Sequence, residues 1–238
     1  KTGKQITTPP ISVKNAIVFA SRDNSLYCLS SNLPNPTKLM WQSETTAPTS
    51  APMVFFDGAL FVASEDFNLY CLDIKSGQSR WRPFPSGFPI RQAPQVIGKQ
   101  VFVLPDGAGV YCLSAVSGDR IWWRYGPRQF VAATRTRIFT TDSRGDVLVL
   151  DRDKGRLHGT MPLRQFGIKL ENNRSNRLYM TTNSGLVICL REVGDEFEFP
   201  VFHKNPDLLP IVPDFAEDVP VADPPAEENP PAAAPGTN

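Results

Sequence analysis

The sequence lacks the features that mark many enzymes and membrane-spanning proteins. It has only two histidines, His158 and His203, and no G-x-S-x-G, P-loop, H-E-x-x-H or Rossmann glycine pattern. No apolar run is long enough to cross a bilayer, and no initiator methionine or signal peptide opens the chain. The sequence therefore contains no recognisable motif for nucleophilic catalysis, nucleotide binding or zinc-dependent hydrolysis.

Cysteine is also scarce, and every cysteine belongs to one recurring tetrapeptide. LYCL at 26–29 returns at 69–72, as VYCL at 110–113 and as VICL at 187–190, while VLVL at 147–150 fills the remaining gap. The third letter of each copy forms a column spaced by 43, 41, 37 and 40 residues: Cys28, Cys71, Cys112, Val149 and Cys189. The chain therefore contains five copies of one unit.

The residues around the tetrapeptide repeat in the same phase. A polar turn precedes it, and a turn glycine stands six positions after the column at Gly77, Gly118 and Gly155. A large aromatic residue follows ten positions after the column at Trp81, Trp122 and Phe199. Trp41 fits after a three-residue insertion, whereas the fourth copy has Gly159 there.

Each unit predicts four short strands, which is typical of a β-propeller blade. In the second copy the strands are expected at APMVFF, ALFVAS, NLYCLDI and SRWRP. The third strand is apolar on both faces, as expected of a strand buried between neighbouring blades. We therefore predict an all-β propeller of four-stranded blades. Gly3 fits the turn glycine of an earlier unit, so the chain is either a fragment of a larger ring of about six to eight blades or closes its ring with this strand.

The propeller also predicts the state of the cysteines. Equivalent atoms on stacked sheets lie about 10 Å apart, whereas a disulfide needs Cα atoms about 4.4–6.8 Å apart. A metal site would need its ligands closer still. We expect all four cysteines to be reduced and buried as small core residues.

The segment ALFVASEDFNLYCLDIKSGQSRW resembles the pyrroloquinoline-quinone-type propeller repeat, and the resemblance extends over about residues 1–200. It implies that Trp41, Trp81 and Trp122 dock each blade onto the next. One branch of this family comprises quinone- and calcium-dependent alcohol dehydrogenases, and the other comprises non-enzymatic scaffolds such as the BamB-type assembly protein. The chain has no Cys-Cys pair and nothing that matches the quinone site. The resemblance thus implies a scaffold of the bacterial periplasm or cell envelope, with no cofactor, no metal and no catalytic residues.

Composition divides the chain near residue 203. Residues 204–238 are rich in proline and alanine and carry seven acidic residues against Lys204 alone. Residues 1–203 then hold 24 basic and 17 acidic residues, a formal charge of +7. We predict propeller repeats over 1–203 and an acidic disordered tail over 204–238.

Arginine and aromatic residues concentrate in the connections between blades, which leave each blade on the same side as the turn between its second and third strands. Both residue types are enriched at protein interfaces. The predicted partner-binding face consists of Arg82, Phe84, Phe88, Arg91, Arg124, Tyr125, Arg128 and Arg164, with Phe166 beside them. Alternatively, the aromatics pack under the loops and the arginines pair with turn acids such as Glu65 and Asp66.

Three functional hypotheses follow from these features. The first is a non-enzymatic scaffold that binds a protein partner. The second is a degenerate quinoprotein-type enzyme or small-ligand sensor that uses the mouth of the channel. The third is a structural module of a longer chain. Nucleic acid is not expected, because the basic residues are dispersed, and the acidic turns have the composition of ordinary tight turns rather than of a calcium site.

Overall fold

The computed structural model describes residues 4–13, 15–32, 38–193 and 200–203. In this part of the chain the regular structure consists of β-strands alone, and no helix has the length and apolar character that a membrane crossing requires. These residues belong to the compact unit Lys1–Asp207; the second unit, Leu208–Asn238, lies outside the described residues, as do Gly3 and Phe199.

The strands form five antiparallel sheets, which we number blades 1 to 5. Blade 1 holds β1 (Ile11–Val13), β2 (Ala16–Ala20), β3 (Ser25–Ser30) and β4 (Leu39–Glu44). Blade 2 holds β5 (Val54–Phe56), β6 (Ala59–Ala63), β7 (Asn68–Asp73) and β8 (Phe84–Pro85). Blade 3 holds β9 (Gln95–Ile97), β10 (Gln100–Val103), β11 (Val110–Ser114) and β12 (Arg120–Arg124). Blade 4 holds β13 (Gln129–Ala133), β14 (Arg137–Thr141), β15 (Val147–Asp151) and β16 (Leu157–Met161), and blade 5 holds β17 (Ile168–Leu170), β18 (Leu178–Thr181) and β19 (Val187–Leu190).

Each blade pairs its strands in chain order, which confirms the predicted propeller architecture. This meander gives the blades two ends. The loop end carries the turns between second and third strands and the connections between blades. The turn end carries the turns between first and second strands and between third and fourth strands.

The hydrophobic core is divided into four clusters, one between each pair of successive blades. On β7, Leu69 and Cys71 face blade 3, whereas Leu72 and the half-buried Tyr70 face blade 1. The strand is therefore apolar on both faces because it is packed on both faces.

The repeated tryptophans lie in these interblade clusters. The Nε1 of Trp41 donates a hydrogen bond to the carbonyl of Ile74 at 2.8 Å, and the Nε1 of Trp122 donates to the carbonyl of Arg152 at 2.9 Å. Trp81 is equally buried, although its Nε1 has no hydrogen-bond acceptor in the described structure. Each ring therefore packs against the next blade along the chain.

The turn glycines allow each tryptophan ring to lie close to the backbone of the next blade. Gly155 has a φ of 66°, and a Cβ built on it would lie 2.5 Å from Cε3 of Trp122. Gly77 and Gly118 lie in the same way beneath Trp41 and Trp81. Glycine is needed for two reasons, the left-handed backbone and the closeness of the ring.

The fourth strand of blade 2 differs from its prediction. Instead of a strand over SRWRP, Ser79 forms an isolated bridge with Leu72, and the regular strand β8 is Phe84–Pro85. Pro83 and Pro85 have no backbone N–H to donate, so this outer strand cannot form a continuous ladder.

Blade 4 lacks the docking tryptophan and fills its interface with blade 5 in another way. Gly159 on β16 has no atom within 4 Å of a built Cβ. Phe166, from the following connection, is buried in the cluster between blades 4 and 5. Phe166 was predicted beside the partner-binding face, and the structure corrects this because its ring belongs to the core.

The prediction of four buried cysteines is wrong for one of them. Cys28, Cys71 and Cys112 are buried, but Cys189 is exposed. Cys189 lies on β19, and in the described part of the chain blade 5 has three strands and no following blade. The column position is buried only where a further sheet packs against it.

Thiol labelling of the native protein at mildly alkaline pH should therefore modify one cysteine quickly. Burial raises the pKa of Cys28 and Cys71 to about 11 and that of Cys112 to about 12, so their reactive thiolate forms are suppressed as well as shielded. Mass spectrometry should show a single fast adduct on Cys189, absent from Cys189→Ser, and three more after denaturation. Rapid modification of all four cysteines would contradict the interblade packing.

Candidate functional site

Arg91 joins two blades at the loop end. From the connection between blades 2 and 3, its guanidinium donates to Glu65 at 3.2 Å and also to Asp106. Glu65 and Asp106 lie in the second-to-third-strand turns of blades 2 and 3. The hydrogen bonds that Arg91 donates to Asp106 and Glu65 raise its pKa. Most of its charge is therefore neutralised locally.

Arg164 has an even closer partner. Its Nε donates to Oδ1 of Asp146 at 3.1 Å and its Nη2 to Oδ2 at 2.6 Å, which makes a bidentate pair. The Asp146 side chain is buried, and its backbone N–H donates to Asp142. Arg164 therefore anchors the connection after blade 4 to the turn of the same blade.

The other predicted arginines have different surroundings. The Arg128 guanidinium lies 5.8 Å from the centroid of the Tyr125 ring, a cation–π geometry. Arg124 points to the turn end, where its Nη1 lies 3.4 Å from the carbonyl of Gly155. Arg82 is exposed and makes no hydrogen bond or ion pair with described residues. The arginines of the predicted face therefore have different environments in the tertiary structure, although their sequence contexts are alike.

Aromatic side chains form the most distinctive surface at the loop end of blades 2 and 3. Four of them are between 45 and 64% exposed, and we call this group the aromatic patch: Phe67, Phe88, Trp123 and Tyr125. Phe88 and Tyr125 were predicted on this face, whereas Phe67 and Trp123 were missed as face residues. An exposed group of large aromatics is a typical protein-interaction surface.

Local contacts hold this patch in place. The Ser86 hydroxyl lies 2.8 Å from the carbonyl of Phe67 and 2.7 Å from that of Phe88. The Nε1 of Trp123 donates to the carbonyl of Ala108 at 2.9 Å, and its ring lies 6.0 Å from that of Tyr111. The half-buried Phe84, also predicted on this face, meets the Tyr111 ring edge-on at 5.3 Å. The exposed Trp123 ring therefore rests on an aromatic pair formed by Tyr111 and Phe84.

Phe67 has an unusual backbone conformation. Its φ of 71° is left-handed, which is rare for a bulky side chain. Four residues before the column, the same left-handed position is occupied by Asn24 in blade 1, Gly145 in blade 4 and Gly185 in blade 5. A phenylalanine at the position where blades 1, 4 and 5 have Asn or Gly was the signal available in the sequence. Such strain is concentrated at functional sites.

The carboxylates in the acidic turns already accept hydrogen bonds from nearby side chains. The Asp66 carboxylate accepts hydrogen bonds from the Tyr70 hydroxyl at 2.7 Å and the Thr46 hydroxyl at 2.8 Å. Burial alone would raise the pKa of Asp66, but these bonds hold it below its usual value. Burial and the bond to Asp66 raise the pKa of Tyr70 to about 12. Asp23 and Tyr27 repeat the contact at 2.8 Å in blade 1, so these aspartates stabilise turns.

The described architecture defines a β-propeller built from about 40-residue sequence repeats. Over residues 22–191 the chain matches the family described as outer membrane protein assembly factor BamB. The match covers well over half of the chain, which therefore belongs to this family of pyrroloquinoline-quinone-type propeller repeats. No curated protein sequence matches the chain significantly.

Solved structures share the fold at low sequence identity. The crystal structure of BamB from Moraxella catarrhalis has a TM-score of 0.62 at 15% identity; the alignment covers 82% of this chain and 63% of that one. The computationally designed protein Ika8 has a TM-score of 0.59 at 13% identity, covering 77% of this chain and 57% of Ika8. A europium-containing methanol dehydrogenase has a TM-score of 0.50 at 14% identity, covering 67% and 42%. The chain thus spans less than two thirds of the BamB structure.

Proposed function

We propose that this chain is a non-enzymatic propeller scaffold that binds a protein partner in the bacterial cell envelope. The observation that carries the proposal is the aromatic patch at the loop end. Binding energy at protein interfaces is concentrated in a few aromatic and arginine residues. The family description, an outer membrane protein assembly factor, supports both a protein partner and this compartment.

The arrangement of charges favours a preorganised interface. Arg91 braces the connection between blades 2 and 3, close to Phe88 in the chain, and Arg164 braces the connection after blade 4, each through carboxylate partners. Arg128 remains next to Tyr125 as a cation–π pair. The loops therefore lose little conformational freedom on binding, which lowers the entropic cost of association.

The non-enzymatic part of the proposal is supported by the roles of the reactive residue types. Cys28, Cys71 and Cys112 are each packed in a different interblade cluster. Asp23 and Asp66 hold their own turns through tyrosine hydroxyls. These side chains are thus used for folding, the cysteines in three different interblade clusters and the aspartates in the turns of two different blades.

Photo-crosslinking should locate the partner on the aromatic patch. We expect a photoreactive amino acid in place of Phe88 or Tyr125 to give a discrete covalent adduct with one envelope protein in the native host. The matched control is Val116, which is 73% exposed at the turn end of blade 3. Adducts of equal strength at all three positions, or at Val116 alone, would place the partner elsewhere.

The purified protein separates this proposal from the quinoprotein hypothesis. A scaffold should show no absorbance in the visible range, because its own aromatic residues absorb only in the ultraviolet. A retained quinone is coloured, so a stoichiometric chromophore that is lost on denaturation would favour a ligand at the channel mouth. Mass spectrometry of the released small molecules provides the independent check.

A further inference from the structure

The turn end of blades 4 and 5 carries a concentration of basic residues. The sequence places six exposed bases in the turns at this end: Arg135, Arg137, Lys154, Arg156, Arg174 and Arg191. The same turns hold four acids: Asp151, Asp153, Glu171 and Glu192. We call the six bases the basic end.

Most of these bases lack a local counter-charge. Arg137 lies 3.3 Å from Glu192, whereas the other five side chains make no hydrogen bond or ion pair with described residues. Asp151 instead accepts from the backbone N–H groups of Asp153 and Lys154 and faces His158. At the loop end, Arg91 and Arg164 are both paired with carboxylates, whereas Arg82 is not. Positive potential is therefore left at the turn end.

The turns that carry these bases are joined to one another. The Nη1 of Arg152 donates to the carbonyl of Thr134, and its backbone N–H donates to that of Thr136. The chain returns to the same end at residues 200–203, where the N–H of His203 donates to the carbonyl of Arg174 at 2.7 Å. Between the two blades, the N–H of Asn172 donates to the carbonyl of Val131 at 2.7 Å. Hydrogen bonds therefore connect the turns of blades 4 and 5 that carry these bases.

Apolar side chains project from the same surface. Phe202, which bridges to Ser175 beside Arg174, is 70% exposed. Val193, just after Arg191, is 99% exposed. Exposure of these apolar side chains to water is unfavourable, and neighbouring residues of the described structure bury little of their surface.

We propose that the basic end binds the surface of an anionic phospholipid bilayer. Guanidinium groups donate bidentate hydrogen bonds to phosphate, and clusters of Lys and Arg are attracted to anionic leaflets. Phe202 and Val193 insert among the headgroups, as apolar residues of interfacial proteins do. An acidic peptide would engage the arginines but would leave these two side chains unused. This surface is opposite to the aromatic patch, so membrane and protein partner bind at separate ends.

Vesicle co-sedimentation with the full chain tests this proposal. The chain should sediment with phosphatidylcholine vesicles that contain phosphatidylglycerol, not with phosphatidylcholine alone, and added salt should weaken the binding. A triple variant, Arg135→Gln, Arg156→Gln and Arg174→Gln, should bind on the order of a hundredfold more weakly, about fivefold for each charge removed. The control, Lys4→Gln, Arg22→Gln and Arg144→Gln, removes the same charge from the loop end and should bind like the wild type.

The remaining outcomes are decisive as well. Equal losses in the two triple variants, or no preference for phosphatidylglycerol, would overturn the proposal. Phe202→Ser changes no charge, so it tests the surface even if the arginine variant fails to fold, and unchanged binding would refute the insertion. Soluble polyglutamate that displaces the chain at matched charge concentration would instead identify the basic end as a site for an acidic protein. Photo-crosslinking at Phe88 should be unaffected by either arginine variant.

Discussion

Trp122→Ala is expected to lower the free energy of unfolding by about 3–5 kcal/mol, the range for truncating a buried large aromatic residue. The Trp122 ring is 8% exposed, and it packs on Gly155 and beside Phe102 in the cluster between blades 3 and 4. Alanine would leave a cavity between two blades and an unsatisfied carbonyl at Arg152. Chemical denaturation followed by tryptophan fluorescence and circular dichroism measures the loss.

The neighbouring tryptophan is the matched control. Trp123 is about half exposed, and it makes one hydrogen bond and one ring contact. Trp123→Ala should cost only about 1–2 kcal/mol, yet it should weaken partner crosslinking from Phe88 because it removes part of the aromatic patch. Equal destabilisation by Trp122→Ala and Trp123→Ala would show that the blades are not joined through the repeated indole.

Phe67→Asn should separate folding from binding at the loop end. Asn is the residue that blade 1 uses at the same left-handed position, so the change relieves backbone strain of about 1–3 kcal/mol. It also removes the half-buried ring, whose lost burial offsets that gain. The free energy of unfolding should therefore change by less than about 1 kcal/mol. Partner binding should fall roughly 30-fold, as expected for a hot-spot residue worth about 2 kcal/mol.

Asn24→Gly at the equivalent turn of blade 1 is the control for this experiment. Both residues accept a left-handed backbone, so neither stability nor crosslinking should change appreciably. Crosslinking yield from Tyr125 measures binding in each background. A wild-type yield in Phe67→Asn would remove Phe67 from the binding surface, and a large gain in stability without loss of binding would make its strain incidental.

The fold could be predicted from the sequence because the pattern of packing residues recurs in five copies of the repeat. The column from Cys28 to Cys189, the turn glycines and the docking tryptophans recur in phase, and each serves the contact between one blade and the next. Because each repeat contacts only its neighbours, these contacts can be predicted without information on distant parts of the chain. Cys189 was misjudged for the same reason, since the repeat specifies the face of a residue but not whether a further blade covers it.

The candidate site could be predicted only in part. Composition located Phe88 and Tyr125 at the loop end, and it identified Arg91 and Arg164 as candidates without showing their carboxylate partners. The strain at Phe67 arises from its left-handed φ, which the sequence indicates only through the Asn or Gly at the same position of blades 1, 4 and 5. The basic end was overlooked because its members come from turns that are far apart in the chain.

The sequence by itself determined the repeat, the strand order within a blade and the tryptophan–glycine contacts between blades 1 to 4, because these depend on neighbours at short and regular spacing. Only the tertiary structure decided which charges are neutralised. Arg91 is paired because two turns from different blades bring Glu65 and Asp106 to it, whereas Arg135, Arg156 and Arg174 make no ion pair with a described acid. Charge pairing acts over a few ångströms in space, and residue spacing along the chain does not report that distance.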